Sequence, residues 1–392
     1  QHKPVELSEH VTHSKTIHVD KAASPGGDGS KDKPLISIQA ALAMTRPGQT
    51  ILVQNGVYDE SLRTRRGGNV HEGPITLLAE ATGGVVLQRR GRLLTVDHPH
   101  VTFNGFVFDA LFSPVNGALR IRGHAHHLVL NNIVLRNNAR HGINISRASN
   151  VTIQNSLIQA CLWFERSAHK AHRVARKDAH GIVAEGVTNL MVARTEIHDV
   201  SGDAIQLAYD DWDNVHLNRV NFWNRPLTQQ LADALGFPHL AGLNPGENAV
   251  DTKAGPEEVR GRLFIADSTF HGWSSDFIAN PAALNLKQNI DAQVEGCTLY
   301  DNHIALRLRG PASGHGARVT VIGNTFLDNE IAIRAEDGIE DLHLQGNTFD
   351  ARHGRVLKEA PSGQGIGPGF RSSGNRVIGA DNPFGSRQKS SH

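Results

Sequence analysis

Cysteine is scarce: Cys161 and Cys297 are the only two in 392 residues, and neither lies in a CxxC pair. A disulfide framework and a CxxC redox or zinc motif are thereby excluded, and both residues read as small core side chains. No run reaches the roughly eighteen apolar residues of a membrane span, so no spanning helix is expected. An excess of either charge is also missing. Forty Lys+Arg against 39 Asp+Glu leave a net charge of +1, so no global field draws nucleic acid or a membrane surface. A polyanion site must then be a local patch, to which some of the 23 histidines would add charge in mild acid. The chain begins with Gln rather than Met, which fits a mature chain whose signal peptide has been removed, or a trimmed one. A secreted or periplasmic location is the expectation, with the chain a monomer.

What is present is repetition. From Val101 onward, short apolar strands recur every 22 to 27 residues or about that, separated by Asn, Gly and Asp, as in a solenoid. One strand family begins each time with a small residue and then alternates: Ala118-Leu-Arg-Ile-Arg122, Gly142 to Ser146, Gly181 to Glu185, Ala204 to Ala208, Ala249 to Lys253, Ala283 to Lys287, Ala305 to Arg309 and Ala332 to Glu336. A second family includes Val101-Thr-Phe103, Leu128-Val-Leu130, Val151-Thr-Ile153 and Leu342-His-Leu344. Asn-rich segments such as Asn131-Asn132, Asn155, Asn324 and Asn347 follow it, suited to tight turns and side-chain ladders. These intervals are too short for a four-stranded propeller blade, and the fold class expected is all-β, a parallel β-helix.

The front of the chain reads as strand, turn and amphipathic helix, from Thr16 through Pro34 to Met44. Such a helix would cover the open end of a stack and prevent edge-to-edge pairing. The run from His18 to Glu60, HVDKAASPGGDGSKDKPLISIQAALAMTRPGQTILVQNGVYDE, resembles the amino-terminal cap and first rung of pectate-lyase-like right-handed β-helix proteins. The resemblance is close over the cap and holds in pattern over the rungs. The chain is accordingly read as one domain over 1–392: cap and first rung at 16–60, rungs at 61–353, and a tail at 354–392 that frays or lies along the last rungs.

Aligning the small-residue strands sorts their outward side chains into two columns, because residues two apart share a face. The first holds Arg120, Asn144, Val183, Gln206, Asp251, Asn285, Arg307 and Arg334; the second holds Arg122, Ser146, Glu185, Ala208, Lys253, Lys287, Arg309 and Glu336. One face of a nearly neutral protein is thus basic. Such a face serves as a solvated guard against edge pairing or as a seat for an anionic polymer, with Arg suited to bidentate carboxylate contacts. An acidic polysaccharide is the partner expected.

Insertions at 162–177 and 226–247 enter just before strands of that face, and long loops on a rigid scaffold commonly line a site. The first is basic, with His169, Lys170, His172, Arg173, Arg176 and Lys177; the stretch Tyr209-Asp-Asp-Trp-Asp213 is acidic with two aromatics. The two would flank a groove on the rungs of His180, Asp203 and Asp251, with Arg173, Arg176, Tyr209 and Trp212 joining Arg120, Arg122, Arg307 and Lys287 as substrate contacts.

Uronate polymers are cleaved without water by β-elimination: a base takes the proton α to the carboxylate while cations neutralise that carboxylate. Lys serves as the base where neighbouring cations lower its pKa. Lys253 in Glu247-Asn-Ala-Val-Asp-Thr-Lys253 faces outward beside Lys287, directly after the longer insertion, and is the expected base. The segment resembles the region around the Lys or Arg base of lyases of the pectate lyase and chondroitinase B type. That resemblance implies Ca²⁺ ligands among Asp251, Glu247, Asp203, Asp210 and Asp211, although no EF-hand spacing occurs and a turn role is the simpler reading of Asp203. His180 is a candidate acid or second base and Arg309 a further catalytic cation; His141, one rung earlier, makes a repeat-position role for His180 equally open. The function expected is a secreted polysaccharide lyase. The alternatives are a polyuronate C5-epimerase, a β-helix glycoside hydrolase and a glycan-binding module. Asp178-Ala-His-Gly181 departs from the epimerase motif at two of four positions, and Ala204 stands where the polygalacturonase type has its second Asp.

Overall fold

The computed structural model describes residues 15–208, 211–253, 259–310, 314–336, 338–360 and 366–384. Three long parallel sheets carry nearly all of the regular structure. The first has 13 strands, from Thr16–Val19 to Ile366–Ser373; the second has 12, from Gly56–Tyr58 to Arg376–Ile378; the third has 11, from Leu62–Arg63 to Arg355–Ala360. The chain visits them in turn, and each strand pairs with those one circuit before and after it. The result is the expected right-handed parallel β-helix.

Alternation dictates the core. In the third sheet Leu119, Ile143, Ile182, Ile205, Val250, Leu284, Leu306 and Ile333 lie in one unbroken register and point inward. All eight are essentially inaccessible, each contributing about 1.5–3 kcal/mol of hydrophobic stabilisation. Cys161 and Cys297 are buried among such residues, and burial pushes both thiols up to about 12.

The turn from first to second sheet needs one left-handed residue per rung. Gly105, Asn132, Asn155, Arg194, Arg219, Asp267, Gly296, Gly323, Gly346 and Gly374 supply it, with φ between 46° and 86°. Asn and Gly recur there because they reach this region at least cost. Beside it, buried Asn324 and Asn347 and half-buried Asn375 form an amide ladder with 3.0 and 2.9 Å links. The helix Ile38–Met44 buries Ile38, Ala41 and Leu42 in the main core. Ser37 caps it, and the Glu60 carboxylate accepts from the Ile38 and Gln39 amides at 2.9 Å, an anion at the positive end of the helix.

Within the stretch read as a tail that frays or lies along the last rungs, Arg355–Ala360, Ile366–Ser373 and Arg376–Ile378 are strands that extend all three sheets. The backbone groups of the preceding rung are satisfied by this last circuit. The two insertions fold together. Trp163–Arg166 and Val174–Lys177 form an antiparallel hairpin, and Thr228 caps the helix Gln229–Ala234. Leu162, Phe164 and Val174 of one insertion share a small apolar core with Leu227 and Leu240 of the other. Both leave after a second-sheet strand and return before a third-sheet strand, so they make one wall above one edge of the third sheet.

Candidate functional site

The residue two positions before the inward column of the third sheet stacks on its counterpart in the next rung. Through the middle of the helix this column reads His141, His180, Asp203, Asn248, linked by parallel backbone bonds from Gly142 to His180, Gly181 to Asp203 and Ala204 to Asn248. The imidazoles of His141 and His180 stack with centroids 4.8 Å apart. His180 Nδ1 lies 2.7 Å from the Asp203 backbone nitrogen and 3.2 Å from its Oδ2. Asp203 also accepts from Asn248 Nδ2 at 2.7 Å and Gln206 Nε2 at 3.0 Å. Gly202 makes room for the ring: a Cβ there would come within 2.6 Å of His180 Nδ1.

Burial penalises both charged forms, yet their mutual attraction prevails. His180 is raised above the ordinary histidine value, with Asp178 and Glu247 adding to the pull of Asp203. The Asp203 carboxyl, despite burial, falls to about 2 through the His180 charge and its amide donors. His141 is driven down to about 3 by burial and by the charges of His180 and Arg140. Glu247 goes the other way, to about 7, through burial and the charges of Asp203 and Asp178, against the opposing Arg176. Arg176 bridges Glu247 and Asp178 at 2.9 Å each. The wall-forming hairpin is thus tied to the corner column.

Beside this column runs the outward face of the third sheet, where Arg120, Asn144, Val183, Gln206, Asp251, Asn285, Arg307 and Arg334 stand in continuous register. Asp251 is fully buried although it points away from the core. Lys253 Nζ and Lys287 Nζ each lie 2.7 Å from one of its oxygens, and Asn285 Nδ2 donates to it at 3.0 Å. One carboxylate therefore serves two ammonium groups, leaving a net positive charge in a partly desolvated groove. For Lys253, burial is outweighed by Asp251, and its pKa rises. For Lys287, burial together with the charge of Lys253 outweighs Asp251, and its pKa falls. Lys287 is the more buried of the two, its side chain 12% exposed against 24% for Lys253.

Further along, Arg307 and Arg309 both bind Glu336, at 2.8 and 3.0 Å. Burial disfavours the Glu336 charge, but the two guanidiniums hold its pKa below the usual carboxylate range. Arg309 is one rung beyond Lys287, and Arg334 lies 3.5 Å from Glu336. At the other end, Arg122 binds Asp97, which Arg63 shares at 2.7 Å, while Arg120 and Arg173 are exposed.

Several expected members are placed elsewhere. Trp212 is 3 % exposed, packed against Gly261 with its indole nitrogen 3.5 Å from the Lys253 carbonyl, so no sugar can stack on it. Asp213 is committed to Arg262 and Asp211 is exposed at the turn. Tyr209 and Asp210 lie outside the described residues. Nor do the remaining carboxylates fit a Ca²⁺ cage, which needs six to eight converging oxygens. Asp251 is taken by two lysines, Asp203 by an imidazole and two amides, and Glu247 by Arg176. Missed by sequence reasoning were Asn248, Gln206 and Asn285 as polar partners and the countercharge role of Glu336. The alignment held the signal for the first: His141, His180, Asp203 and Asn248 are polar where Ala282, Ile304 and Ile331 occupy the same position.

No protein-family model matches the chain, and no curated protein matches it in sequence. Solved structures do match. A rhamnogalacturonan lyase superposes with a TM-score of 0.59 at 13% identity, covering 88% of this chain and 87% of that one. The fold is a right-handed parallel β-helix. The A-module of Azotobacter vinelandii mannuronan C-5 epimerase AlgE6 gives 0.54 at 13% identity, covering 88% and 95%. The catalytic unit of the thermostable GH87 α-1,3-glucanase from Streptomyces thermodiastaticus gives 0.52 at 14%, covering 94% and 70%. A right-handed parallel β-helix is thus shared with a lyase, an epimerase and a hydrolase, and the reaction has to be argued from side chains. No helix among the described residues is long and apolar enough to cross a membrane.

Proposed function

We propose that this protein is a polysaccharide lyase that cleaves a uronate-containing chain by β-elimination, outside the cytoplasm or in the periplasm. The observation that carries the reading is the Lys253–Asp251–Lys287 cluster on the outward face of the third sheet, beside the insertion wall. Elimination asks for a fixed cation against the uronate carboxylate and an amine able to give up its proton near neutral pH. Lys253, held charged by Asp251, suits the first task; Lys287, the deeper of the two amines and the one whose pKa burial and the Lys253 charge lower from the usual lysine value, is assigned the second. In this scheme neutral Lys287 removes the proton at C5, and the electron pair forms the C4–C5 double bond as the C4–O4 bond breaks. The departing oxygen takes up a proton. Arg307, Arg309 and Arg334 extend the cationic row over further rungs, where the carboxylates of neighbouring sugars would lie. The likeness to a rhamnogalacturonan lyase supports the choice without deciding it.

A second reading, C5 epimerisation, draws on the His180–Asp203 pair and the protonatable Glu247, two further proton carriers at the same groove edge. Product analysis separates the readings. With a panel of polyuronates in deuterated water, mass spectrometry and proton NMR should show shortened chains ending in an unsaturated uronate. Deuterium at C5 without shortening would establish the epimerase, and saturated new ends a hydrolase.

A further inference from the structure

The turn from the third sheet to the first carries histidines on two successive rungs, in Asp97-His-Pro-His100 and Gly123-His-Ala-His-His127. His127 and His100 occupy the same repeat position, since Leu128 pairs with Val101, and both take left-handed backbone, with φ of 54° and 50°. Their rings stack at 4.6 Å and 8°, while His126 stands edge-on to both. One ring nitrogen of each of the three lies within 4.8 Å of those of the other two. His126 Nδ1 and His127 Nδ1 are 2.8 Å apart. His127 is exposed and the other two are partly so. The cluster is four rungs from Lys253, on the order of 19 Å along the stack, and takes no part in the groove chemistry.

Three neutral imidazoles with no carboxylate among them suit a borderline transition metal, not Ca²⁺ or Mg²⁺. Bonds of about 2.0–2.1 Å place two nitrogens at about 2.9 Å when they are cis in a square or octahedral site, and at about 3.3 Å in a tetrahedral one. The 2.8 Å separation matches the first. We propose that His100, His126 and His127 form a transition-metal site, selective for Cu²⁺ or Ni²⁺ over Zn²⁺, that clips two successive rungs together with water completing the coordination. The left-handed backbone of His100 and His127 directs both rings to one side of the turn, where a ligand can join them.

The test titrates the chelator-stripped protein with CuCl₂ and NiCl₂ in a non-coordinating buffer. Calorimetry should give one tight ion per chain, and the Cu²⁺ electron paramagnetic resonance spectrum should show coupling to several nitrogens. His100→Asn and His127→Asn, chosen because Asn tolerates left-handed backbone, should each weaken binding at least tenfold. His353→Asn, on an exposed turn far along the stack, should leave it unchanged. If either Asn variant misfolds by circular dichroism, His126→Gln supplies the same comparison. Absence of stoichiometric binding, or equal affinity in the wild type and the cluster variants, would overturn the proposal.

Discussion

One repeat position, two residues before the inward column of the third sheet, is used in two ways along the helix. Over the C-terminal rungs it holds Ala282, Ile304 and Ile331, a small apolar cluster. Over the middle rungs it holds His141, His180, Asp203 and Asn248, all linked to one another or to Gln206. The backbone is the same in both stretches, so folding does not require the polar set. Burying those groups carries a desolvation cost that apolar residues avoid. A costly arrangement on a scaffold that tolerates a cheaper one marks chemistry, and it lies beside the insertion wall and the lysine pair.

The contrast can be broken at several points, taken here from the largest expected effect on turnover to the smallest. Lys287→Ala should lower kcat at least 100-fold with the fold retained, measured by steady-state kinetics on the best polyuronate, in line with the worth of a positioned base. Asp251→Asn should reduce turnover about tenfold or more. It should also cost about 3–5 kcal/mol in denaturant unfolding, since two partly buried ammoniums lose their shared countercharge. Gly202→Ala should displace His180 and cut activity several-fold with a smaller change in stability, because its Cβ would meet Nδ1 at 2.6 Å. Ile304→Ala should destabilise by about 2–5 kcal/mol through a cavity and leave kcat and KM unchanged.

A pH experiment sharpens the same contrast. Glu247 binds its proton more tightly folded than unfolded, with a pKa of about 7 against an ordinary 4.5. Its stabilising contribution is full below the lower value and is lost as pH rises through about 7. Asp203, at about 2, has the opposite sign: its contribution is present above the ordinary 3.8 and is lost as pH falls towards about 2. Glu247→Gln should therefore flatten the decline in unfolding free energy between mildly acidic and neutral pH, leaving the acid limb in place.

Much of the fold was legible because the repeat is written in single residues. Gly142 and Gly181 open their strands where a Cβ would meet Cys161 Sγ at 2.9 Å and Ile197 Cγ2 at 2.6 Å, so aligning on those positions also aligned the outward column. The juxtaposition of Lys253 and Lys287 followed directly. What alternation does not encode is cover. Asp251 points outward yet is buried, and Trp212 sits in an acidic, turn-like stretch yet packs on Gly261, far along the chain. The opposite pKa shifts of the two lysines have the same origin, since they depend on which amine lies deeper beside Asp251. Arg355–Ala360, Ile366–Ser373 and Arg376–Ile378 lie in a stretch that looks like a tail in composition, and they form strands because the preceding rung offers sheet edges to pair with.

The most direct test of the central claim follows ultraviolet absorbance as the protein acts on polyuronates and glycosaminoglycans in the presence of EDTA. The conjugated double bond of an elimination product should appear for the wild type and be lost in both Lys287→Ala and Lys253→Ala. A flat trace on every substrate, or a rise that persists when both lysines are replaced, would contradict the account.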